Sequence, residues 1–342
     1  MKRFLALGLA AALSLSLAAC SGGSGGTGEV TEDGYNQLDL KISVATGVTG
    51  IDYMVADRFA QLISEKTNGA VTATVYSDSQ LTGSDMSKTI DVLLAGGTYE
   101  ICTASGAVLS GVEEKFLTHS LPFAIDSYAT ADELLDGTGG EYYSKLMEER
   151  GMTLLGLFHN GLKQLTNGSK EIHSPADLQG LKIRVPSGEV ALETFRALGA
   201  DPISMSWGEV YTALQQGTVD GHENSYMTID SGSIQEVNSY ITELNWQYEC
   251  YGLIANSNDF NSWNEATQQA VLEAGQEASQ WGREYQETEE ANIKQRFIDE
   301  GVHITELTEE EHQAFVDATA DVRAYFIEKY GEEACTAWGI VG

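Results

Sequence analysis

From Leu38 onward, apolar positions follow two alternating rhythms. Residues 38–47, LDLKISVATG, have the two-residue period of a strand, and 53–69, YMVADRFAQLISEKTNG, place Val55, Ala56, Phe59, Ala60, Leu62 and Ile63 on one helical face before Gly69 stops the run. A second strand, AVTATVYS, follows. GSDMSKTIDVLLAGG then predicts a helix, YEICTASGA a strand, FLTHSLPFAI an extended segment, SYATADELLDG and YYSKLMEERG two helices, and MTLLGLFHNG another strand. From Gly161 the pattern restarts. LKQLTN and LKIRVP read as short strands around the loop GSKEIHSPADLQG, EVALETFRALG as a helix, DPISMS as a strand and WGEVYTALQQGTVDG as a helix. Leu181, Ile183 and Val185 alternate with Lys182 and Arg184, the pattern of a half-buried strand that Pro186 ends. Beyond YITELNWQYECYGLIAN the chain is read as helical from Ser262 to about Glu300 and from Thr308 to about Tyr330, with Trp281, Tyr285, Phe297, Phe315, Val322 and Phe326 as a packing face. Strand, helix and strand in this order define an α/β chain.

The start of the chain differs. Lys2 and Arg3 precede an apolar run too short for a comfortable membrane span, closed by small residues and Cys20, so residues 1–19 are expected to be a secretion signal. Leu17-Ala18-Ala19-Cys20 resembles the lipobox of bacterial lipoproteins, in which Cys20 would carry the lipid. SGGSGGTGEVTEDG has no apolar content for a core, and residues 20–35 are expected to be a flexible tether with a reach of roughly 20 Å. The patterns G-x-S-x-G and G-x-G-x-x-G occur in this stretch, outside the strand-to-helix setting that either needs, and they are discarded.

Without residues 1–19 the chain holds 17 basic and 51 acidic residues, a formal charge of −34. Such a surface repels nucleic acid and anionic headgroups, so nucleic-acid binding is excluded. An arginine on a half-buried strand then needs a reason, because an anionic ligand would be repelled everywhere except at a locally basic pocket. The remaining cysteines, Cys102, Cys250 and Cys335, are odd in number and lack C-x-x-C spacing, so buried free thiols are expected, with one pair left open. The histidines at 119, 159, 173, 222, 303 and 312 are far apart in sequence, and His222-Glu223 lacks the second histidine of H-E-x-x-H because Tyr226 stands there. No metal site and no catalytic residue is expected. About 307 residues follow the tether, enough for two domains.

The segments RFAQLISEKTNGAVTATVYSDSQLTG, LPFAI, NGLKQLTNGSKEIHSPADLQGLKIRVPSGE and PISMSWGEVYTALQQGTVDGHENS resemble, in order and spacing, the C4-dicarboxylate-binding type of solute-binding protein of tripartite ATP-independent periplasmic (TRAP) transporters. The resemblance runs from about Leu38 to the C-terminus. It implies a two-lobed periplasmic-binding-protein-like α/β fold, with crossing strands and a long helix joining the lobes. It also implies an extracytoplasmic receptor that delivers a small organic acid to a membrane permease. Lobe I is expected at 36–160 plus 250–289, and lobe II at 161–249 plus 290–342. The resemblance assigns Arg184 to the ligand carboxylate, a role suited to its planar fork. Lys163 stands where many members have arginine; it keeps the charge, loses the fork and unsettles the dicarboxylate reading. Trp207 would cover the ligand's apolar body and Asn224 would hydrogen-bond it. Glu223 would either line the site or help hold a cation bound with the ligand; no other cofactor is implied. A monomer is expected, anchored through Cys20 to the outer face of the cytoplasmic membrane. Ligand candidates, in order, are C4-dicarboxylates, sugar acids, and 2-oxo or 2-hydroxy acids. The alternatives are a secreted hydrolase such as a carboxylate-pair glycosidase, or a ligand-presenting sensor.

Overall fold

The computed structural model describes residues 29–340; the expected signal, Cys20 and most of the expected tether lie outside them. Among the described residues eleven strands form two sheets: β1 (Leu38–Ser43), β2 (Val71–Tyr76), β3 (Ile101–Ser105), β4 (Met152–Leu162), β5 (Gln164–Asn167), β6 (Lys182–Val185), β7 (Asp201–Ser204), β8 (Gly221–Asn224), β9 (Tyr240–Glu243), β10 (Tyr248–Asn256) and β11 (His303–Glu306). Lobe I is built on the order β2-β1-β3-β10-β4 and lobe II on β11-β9-β5-β8-β6-β7. β1, β2 and β3 run parallel, and β10 lies antiparallel between β3 and β4. Every residue of β10 is buried, as a central strand covered on both faces requires.

Two crossings join the lobes. β4 leaves the first sheet at Leu162 and, after Lys163 alone, the chain enters the second as β5. The return path runs from β9 through 244–247 into β10. These crossings pair with each other, because Lys163 N–H donates to the Gln247 carbonyl at 2.9 Å and Trp246 N–H donates to the Lys163 carbonyl at 3.2 Å. The 35-residue helix Glu265–Asp299 is the third connection, about 50 Å long. Asn264 caps its start by accepting from Thr267 N–H, and Ala270, Ala274 and Ala278 give it a slim buried face beside Leu155 and Phe158 of β4. Its far end reaches lobe II through Arg296 with Asp230 at 2.6 Å and Lys294 with Glu243 at 2.9 Å.

Several expectations shift. The helix expected from Thr308 to Tyr330 breaks at Thr319, whose hydroxyl donates back to the Phe315 and Val316 carbonyls, leaving helices Glu309–Ala318 and Ala320–Tyr330. Phe326, Tyr330, Ala334, Cys335 and Trp338 then pack with β3, β4 and β10, so the end of the chain closes the core of lobe I instead of extending lobe II. Residues 116–120 of the expected extended segment lie in a 3-10 helix, Glu114–Ser120, opened by the Glu113 side chain accepting from Lys115 N–H. The fold also begins before Asn36: Val30 pairs with Asn36, and Gly34 O accepts from Asn264 Nδ2. β6 is buried at Ile183, Arg184 and Val185, with only Lys182 exposed. Ile183 and Val185 enter the lobe II core while Arg184 faces the space between lobes, so the alternation separates core from cleft. Cys102, Cys250 and Cys335 are free and buried.

The hinge depends on one residue without a side chain. Gly161 has φ +111°, and a Cβ there would lie 2.7 Å from Tyr128 Oη and 2.8 Å from both Gln286 Nε2 and Glu290 Oε1. Gly161→Ala is therefore expected to cost about 2–4 kcal/mol of stability, combining strained backbone with a clash against hydrogen-bonded groups. Urea unfolding followed by circular dichroism measures it, and an unchanged midpoint would show that the backbone here relaxes freely.

Candidate ligand-binding cleft

The ends of β1, β3, β4 and β10 in lobe I face the ends of β6 and β8 in lobe II. Between them lies a cavity lined by Thr46, Ser105, Asn160, Glu249 and Tyr251 on one side and Arg184, Trp207 and Asn224 on the other, with Lys163 from the crossing. Sequence distance says nothing of this grouping. Sheet topology brings the strand ends together.

Arg184 is 2% exposed. Its Nε and Nη2 both donate to the Met205 carbonyl, at 3.0 and 2.7 Å, which fixes one edge of the guanidinium and leaves Nη1 without an acceptor among the described residues. Among the described residues no carboxylate forms an ion pair with it. Burial pulls its pKa down to about 10, opposed by Glu223, Tyr251 and Glu209, so it stays charged at neutral pH. The half-buried Trp207 ring lies with its centroid 6.0 Å from Arg184 Cζ, at the outer edge of cation–π range.

Lys163 is already engaged. Its Nζ donates to Asn224 Oδ1 at 3.1 Å and lies 3.7 Å from Glu223 Oε2. Asn224 Oδ1 also accepts from Ser225 N–H at 3.1 Å, which leaves Nδ2 as the donor available to the cavity. Glu223 is fully buried behind this pair and does not line the cavity. Burial raises its pKa, opposed by Lys163, Arg184 and the Trp246 indole. The sequence thus placed Arg184, Lys163, Trp207 and Asn224 around one space, with Glu223 one layer behind.

Lobe I supplies residues that no motif announced. Glu249 Oε1 accepts from Gly106 N–H at 3.0 Å and lies 3.0 Å from His119 Nε2. Burial alone would push the Glu249 carboxyl up, but the adjacent His119, the Lys163 charge and the Gly106 N–H hold it below its ordinary value, so it is an anion at the cleft wall. Asn160 Oδ1 accepts from Thr228 Oγ1 at 2.9 Å, a link between the two lobes. Ser105, Asn160, Glu249 and Tyr251 are single polar residues in buried strands. Their only advance sign is polarity where a strand core should be apolar.

The mouth of the cleft is closed. Ser187 Oγ donates across it to Ala107 O at 3.2 Å, and Gly188, with φ +111°, sits where a Cβ would come within 3.0 Å of Leu117 Cδ1. The open space at the centre is about 30 Å³, far below the roughly 300 Å³ of a small-molecule pocket. A ligand must separate the lobes to enter.

The family model of bacterial extracellular solute-binding proteins, family 7 (DctP), matches residues 45–329. The C4-dicarboxylate-binding periplasmic protein DctP of Shewanella loihica is 30% identical over 285 residues, 83% of this chain and 83% of that protein. The uncharacterized protein y4mM of Sinorhizobium fredii is 32% identical over 269 residues, 79% of this chain, and the chain spans about half of its length, 49%. Among solved structures, a TRAP periplasmic solute-binding protein from Ralstonia eutropha with bound (S)-2-acetolactate superposes with a TM-score of 0.85 at 27% identity, covering 88% of this chain and 98% of that one. The family is one of receptors, which removes the hydrolase alternative. With a two-lobed fold, a cleft between the lobes and a family match over most of its length, this chain belongs to the bacterial extracellular solute-binding proteins of family 7, the extracytoplasmic receptors of TRAP transporters.

Proposed function

We propose that the protein captures a small monocarboxylate bearing a hydroxyl or keto oxygen near the acid group, closes on it and presents it to its TRAP permease. One observation carries this reading: Arg184 is the cleft cation with no carboxylate of its own, whereas Lys163 already faces Glu223 at 3.7 Å. One unanswered positive charge suits one carboxylate. A second would meet Lys163 partly neutralised and Glu249 as an anion on the opposite wall.

The chemistry follows from which groups remain free. The Arg184 fork takes the ligand carboxylate by charge-assisted hydrogen bonds, strengthened as water leaves. Asn224 Nδ2 donates to the same carboxylate or to the neighbouring oxygen. Glu249 has one oxygen engaged, and the other accepts from a ligand hydroxyl, so the acid is gripped from lobe II and its hydroxyl from lobe I. Trp207 covers the carbon skeleton. Because the two halves of the grip lie on different lobes, binding energy is gained only on closure. Glu223 serves here as the counter-charge of Lys163, in place of a ligand for a separate cation. The acetolactate of the Ralstonia protein has this hydroxy-keto monocarboxylate chemistry. A dicarboxylate, which the Shewanella protein is named for binding, is the second reading, and it would need Lys163 to leave Glu223 for the second acid group.

Cys20, outside the described residues, is the proposed anchor. Its acyl chains would hold a monomeric receptor at the outer face of the cytoplasmic membrane, two or more chains giving stable attachment where one would not.

Calorimetry with (S)-2-hydroxy-2-methyl-3-oxobutanoate and with succinate is expected to favour the hydroxy-keto acid by at least about tenfold, one hydrogen bond to a charged group; tighter succinate binding would establish the dicarboxylate reading instead. Arg184→Ala is expected to weaken the preferred acid by roughly tenfold to a hundredfold without unfolding the protein, and Arg184→Lys to recover only part. Near-wild-type affinity for Arg184→Ala would remove this arginine from the site. In small-angle scattering, the ligand-free protein should show the larger radius of gyration; equal radii would rule out hinge closure. The intact mass of membrane-extracted protein should include acyl chains on an N-terminal Cys20, and a mass without them would refute the anchor.

A further inference from the structure

A second cluster lies outside the cleft, against the back of the hinge. His159 of β4 is fully buried, and its Nε2 has no well-aligned hydrogen-bond partner among the described residues. That nitrogen points between two carboxylates, Asp132 Oδ1 at 3.4 Å and Glu287 Oε1 at 3.7 Å, and the three atoms lie within 4.8 Å of one another. Asp132 belongs to the helix Tyr128–Leu135 and Glu287 to the long helix, so three separate elements converge.

We infer that His159, Asp132 and Glu287 bind a divalent cation of the zinc class. Ligands roughly 2.0–2.2 Å from such an ion are spaced about 3–3.6 Å apart, which the two histidine–carboxylate distances nearly meet, while the two carboxylate oxygens, within 4.8 Å of each other, draw together through rotation of their partly exposed side chains. The imidazole is arranged as a ligand would be. His159 Nδ1 lies 2.6 Å from Tyr248 Oη, which fixes the second ring nitrogen and leaves Nε2 to face the carboxylates. The Tyr128 ring, 4.7 Å between centroids, holds the imidazole plane. One cation already stands nearby: Arg283 Nη1 donates to Asp136 Oδ1 at 2.6 Å and more weakly to Asp132 Oδ1 at 3.3 Å. Asp136 answers that charge, and Arg283 Nε is spent on the Leu157 carbonyl at 2.9 Å, so Asp132 is released to an ion without stranding the guanidinium.

The donor set selects the metal. One imidazole with two carboxylates suits zinc, cobalt or manganese, while magnesium and calcium favour oxygen alone. The side chains of Asp132 and Glu287 are 36% and 43% exposed, which gives the ion a route from solvent and leaves positions for water. The place gives it a consequence. His159 pairs with Cys250 in the β4–β10 ladder, where the register shifts between Glu249 and Cys250, and Gly161 follows two residues later. An ion here would tie both helices to the crossing strand at the foot of the hinge, raising the thermal midpoint without touching the organic acid.

The test uses protein stripped of metal by a chelator and titrated with Zn²⁺ by calorimetry, with the visible absorption of Co²⁺ as a second readout. Wild type is expected to take up one Zn²⁺ with a rise in its thermal midpoint. Glu287→Gln and Asp132→Asn, both at partly exposed positions, are expected to weaken uptake at least tenfold while circular dichroism and organic-acid affinity stay unchanged. The exposed His173, which faces Glu171 at 3.3 Å and Glu311 at 3.0 Å, supplies the control, and His173→Ala should keep full Zn²⁺ binding. No uptake by wild type, undiminished uptake by both carboxylate variants, or loss of uptake in His173→Ala would each overturn the site.

Discussion

A guanidinium taken out of water with no carboxylate against it is costly, and the structure is arranged around keeping Arg184 in that state. The Met205 carbonyl satisfies one edge of it and Trp207 lies beside it. The remaining edge faces a narrow space walled by the other lobe. Removing Glu223 to a layer behind, with Lys163 as its partner, keeps the nearest acid from taking the ligand's place. What reads as an unsatisfied charge is the source of affinity, because an anion entering that space replaces lost hydration with fixed donors.

Lys163 joins this chemistry to the mechanics. It is the single residue between β4 and β5, its backbone pairs with Trp246 and Gln247 of the return crossing, and its side chain enters the cleft. A change in hinge angle therefore moves a cleft charge directly. The grip on either side belongs to a different sheet, so ligand energy and closure are coupled by construction. The long helix limits the motion to hinge bending because it packs on β4 at one end and ion-pairs with lobe II at the other.

The acidic surface adds a constraint on ligand entry. With an excess of 32 acidic over basic residues, the chain repels small acids almost everywhere. Arg184 in that setting discriminates by position, since an organic acid gains a favourable charge contact only once it lies between the lobes. Glu249, held ionised by His119 and Gly106, sharpens this by opposing a second carboxylate at the far wall.

Local pattern specified the elements. The two-residue period of LDLKIS and AVTATVY and the helical period of residues 53–66 arise from side chains close in sequence, and the structure returns them nearly in place. Motif resemblance carried Arg184, Lys163, Trp207 and Asn224 to one cavity. Long-range packing decided the rest. The break at Thr319 depends on one hydroxyl choosing a carbonyl, and the docking of residues 326–340 on lobe I depends on which core has room for Phe326 and Trp338. The pairing of Lys163 with Glu223, the anion at Glu249 and the convergence of His159 with Asp132 and Glu287 all join residues distant in sequence. Their geometry exists only when two sheets and a helix meet, because strand order and hinge angle set those distances while local sequence sets only which way each side chain leaves its own backbone.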